Sequence, residues 1–129
     1  MSAGMLLAIG LLGGAGSVAR FALDRAITER TEDRAADVAR PVFPLGTLAV
    51  NLSGALLLGL LVGTAPGDDT LRLVGTGLLG AYTTFSTWML ETARLAAGGR
   101  RRAAAANIAV SLALGLLVVW LGRELGRAL

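Results

Sequence analysis

Cysteine, histidine and lysine are absent from this 129-residue chain. The first two absences exclude disulfides, Cys/His zinc sites, haem ligation, thiol nucleophiles and any Ser-His-Asp triad. Charge is scarce as well. Charged residues make up 16% of the chain, against about 25% in a soluble domain, too few to cover a water-facing surface of normal polarity. All twelve basic residues are arginines, set against nine acids for a net charge of +3. They fall in short clusters between long uncharged stretches, which argues against a nucleic-acid groove. What is abundant is apolar: hydrophobic residues reach 54%, glycine occurs 18 times and the mean hydropathy is +0.67. The composition is that of an integral membrane protein.

Four windows hold no charged residue: 1–19, 41–67, 73–90 and 103–122. A helix needs about 20 apolar residues to cross the hydrocarbon core, and each window meets that length. The first is read as a span rather than a signal peptide, because no arginine precedes position 20 and three more windows follow. The reading is a single four-helix transmembrane domain over residues 1–129, with spans near 3–23, 43–64, 71–95 and 103–122. With no soluble domain or linker, its work is expected inside the bilayer.

The connections differ in kind. Residues 24–40 mix acids and arginines, and the i,i+4 neighbours Glu29 with Asp33 and Arg30 with Arg34 repel. A solvated loop with one helical turn is expected there. Residues 65–70 read as a tight turn, with Asp69 or Thr70 as N-cap of the third span. Gly98-Gly-Arg-Arg-Arg102 is a glycine stop followed by a basic cluster. The first and third loops hold seven arginines against three on the opposite side (Arg72, Arg123, Arg127). The positive-inside rule then favours both termini outside the cytoplasm.

Small residues recur one turn apart at Gly10/Gly14 and at Ala55/Gly59/Gly63, patterns that let helices approach closely in lipid. Polar residues within spans are more informative, since lipid offers them no partner. Arg20 requires a carboxylate, carbonyls or an aqueous vestibule, unless it snorkels to the interface. Asn51 lies several turns from either end of its span and serves either an interhelical bond or a polar path. Asn107 and Ser111 share one face of the fourth span.

The third span is the least regular. Six hydroxyl-bearing or indole side chains crowd residues 82–88, behind the glycine-rich Gly75-Thr-Gly-Leu-Leu-Gly80. Weak helix formers at this density predict a break near Gly80 to Thr84. Such a break frees carbonyls and amides at membrane depth and survives only when buried in protein or lining a cavity. Freed carbonyls suit a small hard cation. Phe85 and Trp88 share a face; the pair serves either as core or as positive ring edges turned toward an anion. Glu91 follows as the acid near a membrane segment.

Three stretches, Gly13-Gly-Ala-Gly-Ser-Val-Ala-Arg20-Phe21, Gly46-Thr-Leu-Ala-Val-Asn51-Leu-Ser-Gly54 and Gly80-Ala-Tyr-Thr-Thr-Phe-Ser-Thr-Trp88 with Glu91, resemble the signatures of the Fluc (CrcB) fluoride channels, in the same order and over the whole length. The resemblance implies an all-α membrane fold, four transmembrane helices with a broken third, assembled as an antiparallel dimer with fluoride pores at the interface. It implies a structural sodium ion at that interface, held by the backbone carbonyls of Gly80 and Thr83. Asn51 would donate to fluoride, Phe85 would present its ring edge, and Trp88 stands where the family usually has a second Phe. Thr87 and Ser111 would form a polar track, Glu91 would lie near a pore end, and Arg20 in an anion vestibule. The implied setting is the plasma membrane, with fluoride as permeant ion and either a second copy or an oppositely oriented sibling as partner.

Rival classes fit less well. A small proton-coupled multidrug transporter needs an embedded carboxylate, typically in the first span, and residues 1–19 contain no acid. A non-conducting assembly subunit would explain the small-residue faces but not the hydroxyl-rich third span. An enzyme lacks the histidine, cysteine or paired intramembrane carboxylates that acid–base work requires.

A chain that inserts both ways should carry balanced arginines, and the seven-to-three bias leans to one orientation. Cysteines introduced at the loop ends of this cysteine-free chain are therefore expected to label from one side of the membrane in cells, and labelling from both sides would establish dual insertion.

Overall fold

The computed structural model describes residues 2–32 and 42–129 of the chain. Helix α1 (Ala3–Glu32) is followed by α2 (Leu45–Gly63). A third crossing is then assembled from pieces: α3 (Asp68–Thr70), a π-helical segment (Leu71–Leu79), α4 (Gly80–Tyr82) and α5 (Ser86–Ala97). Helix α6 (Arg101–Arg127) closes the bundle. Three helices, α1, α2 and α6, are long and apolar enough to cross a membrane unbroken. The protein is an all-helical, multi-pass membrane protein with a broken third crossing.

Two local expectations need correction. The segment read as a solvated loop from residue 24 is helical through Glu32, with the exposed side chains of Arg25 and Glu29 paired one turn apart at 2.5 Å, a modest support for the extra turns. The hydroxyl of Thr31 also donates to the Thr28 carbonyl. The rest of that stretch, with Asp33 and Arg34 of the repulsive pairs, lies outside the described residues. At the second turn the N-cap is Gly67, in extended conformation, rather than Asp69 or Thr70. Asp69 instead faces Arg72 at 3.5 Å.

The glycine stop after α5 has a specific geometry. Gly99 takes φ of +78°, Arg100 N–H donates to the Leu95 carbonyl at 2.9 Å and Gly99 N–H to Ala96 at 3.1 Å. This paired closure uses the left-handed conformation that favours glycine.

Close backbone approach holds the bundle together. Helices α2 and α6 meet through two glycine pairs. A methyl on Gly59 would strike the Val119 carbonyl and one on Gly122 the Leu56 carbonyl, while Gly63 and Gly126 lie against each other. On the other side, α1 packs on the π segment, with Gly16 against the Leu78 carbonyl and Gly77 against Ile9. The expected Ala55/Gly59/Gly63 face is therefore engaged through its glycines. Gly10 and Gly14 face open space within the subunit, and the α1 residues in contact are Gly13 and Gly16.

The π segment follows from its composition. Gly75, Thr76 and Gly77 hold an i→i−4 ladder weakly, and the wider i→i−5 pattern appears instead, as in Gly80 N–H to the Gly75 carbonyl. Fully buried apolar side chains are few, chiefly Val50 and Leu95, whereas large ones such as Leu7, Leu11, Phe21 and Leu116 lie open. Lipid accepts such a surface; water would not.

Substituting Gly122→Ala should lower the thermal midpoint of the detergent-solubilised protein by an amount equivalent to about 1–3 kcal/mol, because its methyl meets backbone. Gly115→Ala on the same helix, where nothing lies within 4 Å, should leave the midpoint unchanged or raise it.

Candidate functional site

The site forms around the break in the third crossing. Thr83 turns to an extended conformation (φ −80°, ψ 161°) and ends α4. The chain resumes helical structure at Ser86, so the interruption covers residues 83–85, at the C-terminal end of the expected position. Thr84 caps the restart: its Oγ1 accepts from Thr87 N–H at 3.2 Å and donates to Thr87 Oγ1 at 3.1 Å.

A break in lipid must find partners for its backbone, and α2 supplies them. The Asn51 amide donates to the Thr84 carbonyl at 2.9 Å and accepts from Thr84 N–H at 2.8 Å. Two residues on, Ser53 Oγ meets Tyr82 Oη at 2.8 Å. Gly54 leaves the room filled by the Thr83 methyl and the Tyr82 ring, since a Cβ there would collide with both. The Asn51, Ser53 and Gly54 group of α2 is thus a template for residues 82–84.

This arrangement frees particular oxygens. In an unbroken helix the Gly80 carbonyl would accept from Thr84 N–H and the Thr83 carbonyl from Thr87 N–H. Those amides are directed instead to Asn51 Oδ1 and Thr84 Oγ1. Gly80 and Thr83 both border a cavity of about 360 Å³. Uncharged carbonyl oxygens fit a singly charged hard cation such as an alkali ion. Among the described residues no cluster of acidic side chains offers a divalent site.

The sequence-predicted residues separate into different cavities. Asn51, Phe85, Trp88 and Ser111 line the 360 Å³ cavity together with Gly80 and Thr83, and among the described residues no charged side chain borders it. Arg20 and Thr87 line a second cavity of about 190 Å³, with Asp24 and Thr47. Glu91 borders a third, of about 210 Å³, beside Arg94. Thr84 borders the first two, so the break residue is the wall between them.

Donor capacity is left over where the cavities lie. The Ser111 hydroxyl is buried and has no hydrogen-bond partner among the described residues; the Thr47 hydroxyl lies beside the Glu91 carboxyl. Asn51 spends one amide N–H on Thr84 and keeps a second. Phe85 is 71% exposed within the subunit, and its ring packs edge-on against Trp88, centroids 5.6 Å apart and planes at 69°. Trp88 is buried, and its indole N–H donates to the Asn107 carbonyl at 3.3 Å.

A family model described as CrcB-like protein, Camphor Resistance (CrcB), matches residues 7–123. The chain belongs to this family. A relative named fluoride-specific ion channel FluC 2 from Mycolicibacterium paratuberculosis is 51% identical over 119 residues, covering 92% of this chain and 91% of its own. One named FluC 2 from Mycobacterium tuberculosis is 52% identical over 113 residues, covering 88% and 83%. One named FluC 1 from Symbiobacterium thermophilum is 46% identical over 123 residues, covering 92% and 94%.

Two contributors to this CrcB-family site escaped the sequence reading. Thr84 was one hydroxyl among several, and nothing in its spacing marked it as both cap and dividing wall. Thr47 lies one turn before Asn51 on α2 and is almost fully buried. That i,i+4 spacing was the available signal.

Replacing Asn51 by Leu strands the Thr84 N–H and carbonyl together. A cost of about 1–3 kcal/mol per buried orphan is expected. Ser53→Ala removes one interhelical bond, to Tyr82 Oη, worth about 1 kcal/mol, together with the hydroxyl's back-bonds to the Ala49 and Val50 carbonyls of its own helix. The drop in thermal midpoint should therefore be clearly larger for Asn51→Leu, and equal drops would show that the template does not stabilise the break.

Proposed function

We propose that this CrcB-family chain is a fluoride-selective, passive ion channel of the plasma membrane that lets fluoride leave the cytoplasm. The observation that carries the reading is the 360 Å³ cavity at the break. Its wall combines unspent donors with an absence of charged side chains among the described residues. Similarity at about half identity to relatives named fluoride-specific ion channels supports it.

Fluoride is small and strongly hydrated, so a path for it must replace water with convergent donors. The second amide N–H of Asn51, the hydroxyl of Ser111 and the ring edge of Phe85 supply these, with Trp88 backing Phe85. Uncharged donors bind an anion without trapping it, which conduction requires. Thr87, across the Thr84 wall, continues the polar track. Arg20 draws anions toward that side, and Glu91 sits near the far mouth. Nothing in this scheme consumes chemical energy, so flow follows the electrochemical gradient.

The same reading makes the functional unit an antiparallel dimer. Phe85 and the face bearing Gly10 and Gly14 are open in the single subunit, as surfaces that a second subunit would cover. The freed carbonyls of Gly80 and Thr83 would hold a structural sodium ion at that interface, tying the two breaks together. The arginine bias favours an oppositely oriented sibling as partner over a second copy.

Liposomes reconstituted with the purified chain and loaded with fluoride should lose it rapidly, as read by an ion-selective electrode, while chloride-loaded liposomes retain their ion. Absence of fluoride loss until a sibling chain is added would establish a heterodimer. Absence with the sibling present would overturn the channel reading.

A further inference from the structure

Trp88 is tied into a closed ring of hydrogen bonds that crosses from α5 to α6. Its indole N–H donates to the Asn107 carbonyl at 3.3 Å. The Asn107 side-chain amide donates to Thr92 Oγ1 at 2.8 Å. Thr92 Oγ1 in turn donates to the Trp88 carbonyl at 2.8 Å. The ring thus leaves from the side chain of Trp88 and returns to its backbone.

The direction of each bond is fixed. Thr92 has one hydroxyl hydrogen, and it is spent on Trp88, so toward Asn107 the oxygen can only accept. Asn107 must present its Nδ2, which turns Oδ1 away into a position where it has no partner among the described residues. Asn107 is fully buried, and Thr92 nearly so. A polar group held this deep is retained at a cost that apolar packing would avoid, and what it holds is the one aromatic neighbour of Phe85.

The consequence concerns the indole. A tryptophan bordering the cavity carries an N–H that could swing toward the permeating ion and become a donor of its own. With the N–H committed to the Asn107 carbonyl, Trp88 offers the cavity an apolar ring and holds Phe85 edge-on. We propose that Asn107 is a positioning residue: its side chain, bonded to Thr92, holds α6 against α5 so that the Asn107 carbonyl stays in place to receive the Trp88 indole, which fixes the ring and thereby sets anion selectivity and rate. The proposal rests on the channel reading above.

The test is a double-mutant cycle in liposomes. Asn107→Leu keeps volume and backbone but breaks the side-chain link, and Thr92→Val breaks the same ring from the other end. Each should change the ratio of fluoride to chloride efflux by about fivefold to tenfold, the scale of one buried hydrogen bond. With Trp88→Phe, which has no N–H to place, Asn107→Leu should change that ratio no further. In a Trp120→Phe background, Trp88 is the remaining tryptophan, and its fluorescence anisotropy should fall on Asn107→Leu. A selectivity change of equal size with and without Trp88 would overturn the proposal, as would unchanged anisotropy. If Asn107→Leu fails to fold, Thr92→Val carries the same comparison. Failure of the channel reading is separate, because the unmodified chain, with or without a sibling, would then pass no fluoride.

Discussion

The pairing of one side-chain amide with one peptide unit, Asn51 with Thr84, underlies the rest of the architecture. A transmembrane helix can be interrupted only where its unpaired amides and carbonyls are received by other groups, because hydrocarbon receives none. Asn51 is suited to the task because its amide matches a peptide's own donor and acceptor. With both Thr84 groups accepted at 2.8–2.9 Å, the neighbouring carbonyls of Gly80 and Thr83 lose their helical partners. Both residues border the larger cavity. The polar interior of this membrane protein is thus a by-product of how a broken segment is held.

Glycine makes that holding possible. The α2 template reaches the break only because Gly54 lacks a side chain, and α2 is held in place by its glycine contacts with α6. On the opposite side α1 seats Gly16 on the π segment. Each close approach replaces the hydrophobic drive missing between helices in lipid with dispersion and backbone proximity. The same residues weaken local helicity, which explains why the crossing that must yield, rather than α2 or α6, takes the π pattern and the break.

Much of this was legible in the sequence because lipid simplifies the code. Charge-free windows marked the crossings, and a crowd of hydroxyls behind glycines marked the interruption, which lies at residues 83–85 where 80–84 was expected. Other features left weaker traces. Composition suggested solvent at residue 24, yet α1 continues through Glu32, with Arg25 and Glu29 paired along its exposed face. Spacing cannot distinguish which of Gly10/Gly14 and Gly13/Gly16 faces inward, because both lie one turn or less apart on the same helix. No periodicity separates an i→i−5 ladder from an i→i−4 one over nine residues. Shared faces also do not ensure shared cavities: Thr87 and Glu91 lie on α5 with Trp88 but open elsewhere.

Thr84 borders two cavities at once, and its backbone is clamped by a residue that itself borders the larger one. The two chambers therefore share Thr84 in their linings, and it is held by Asn51 from the side of the first and by Thr87 from the side of the second. A displacement of Asn51 or of Thr87 therefore reaches the shared residue, and through it both chambers. Substitutions that widen the first chamber are then constrained to reshape the second, so the dimensions of the two cannot drift independently as the sequence diverges.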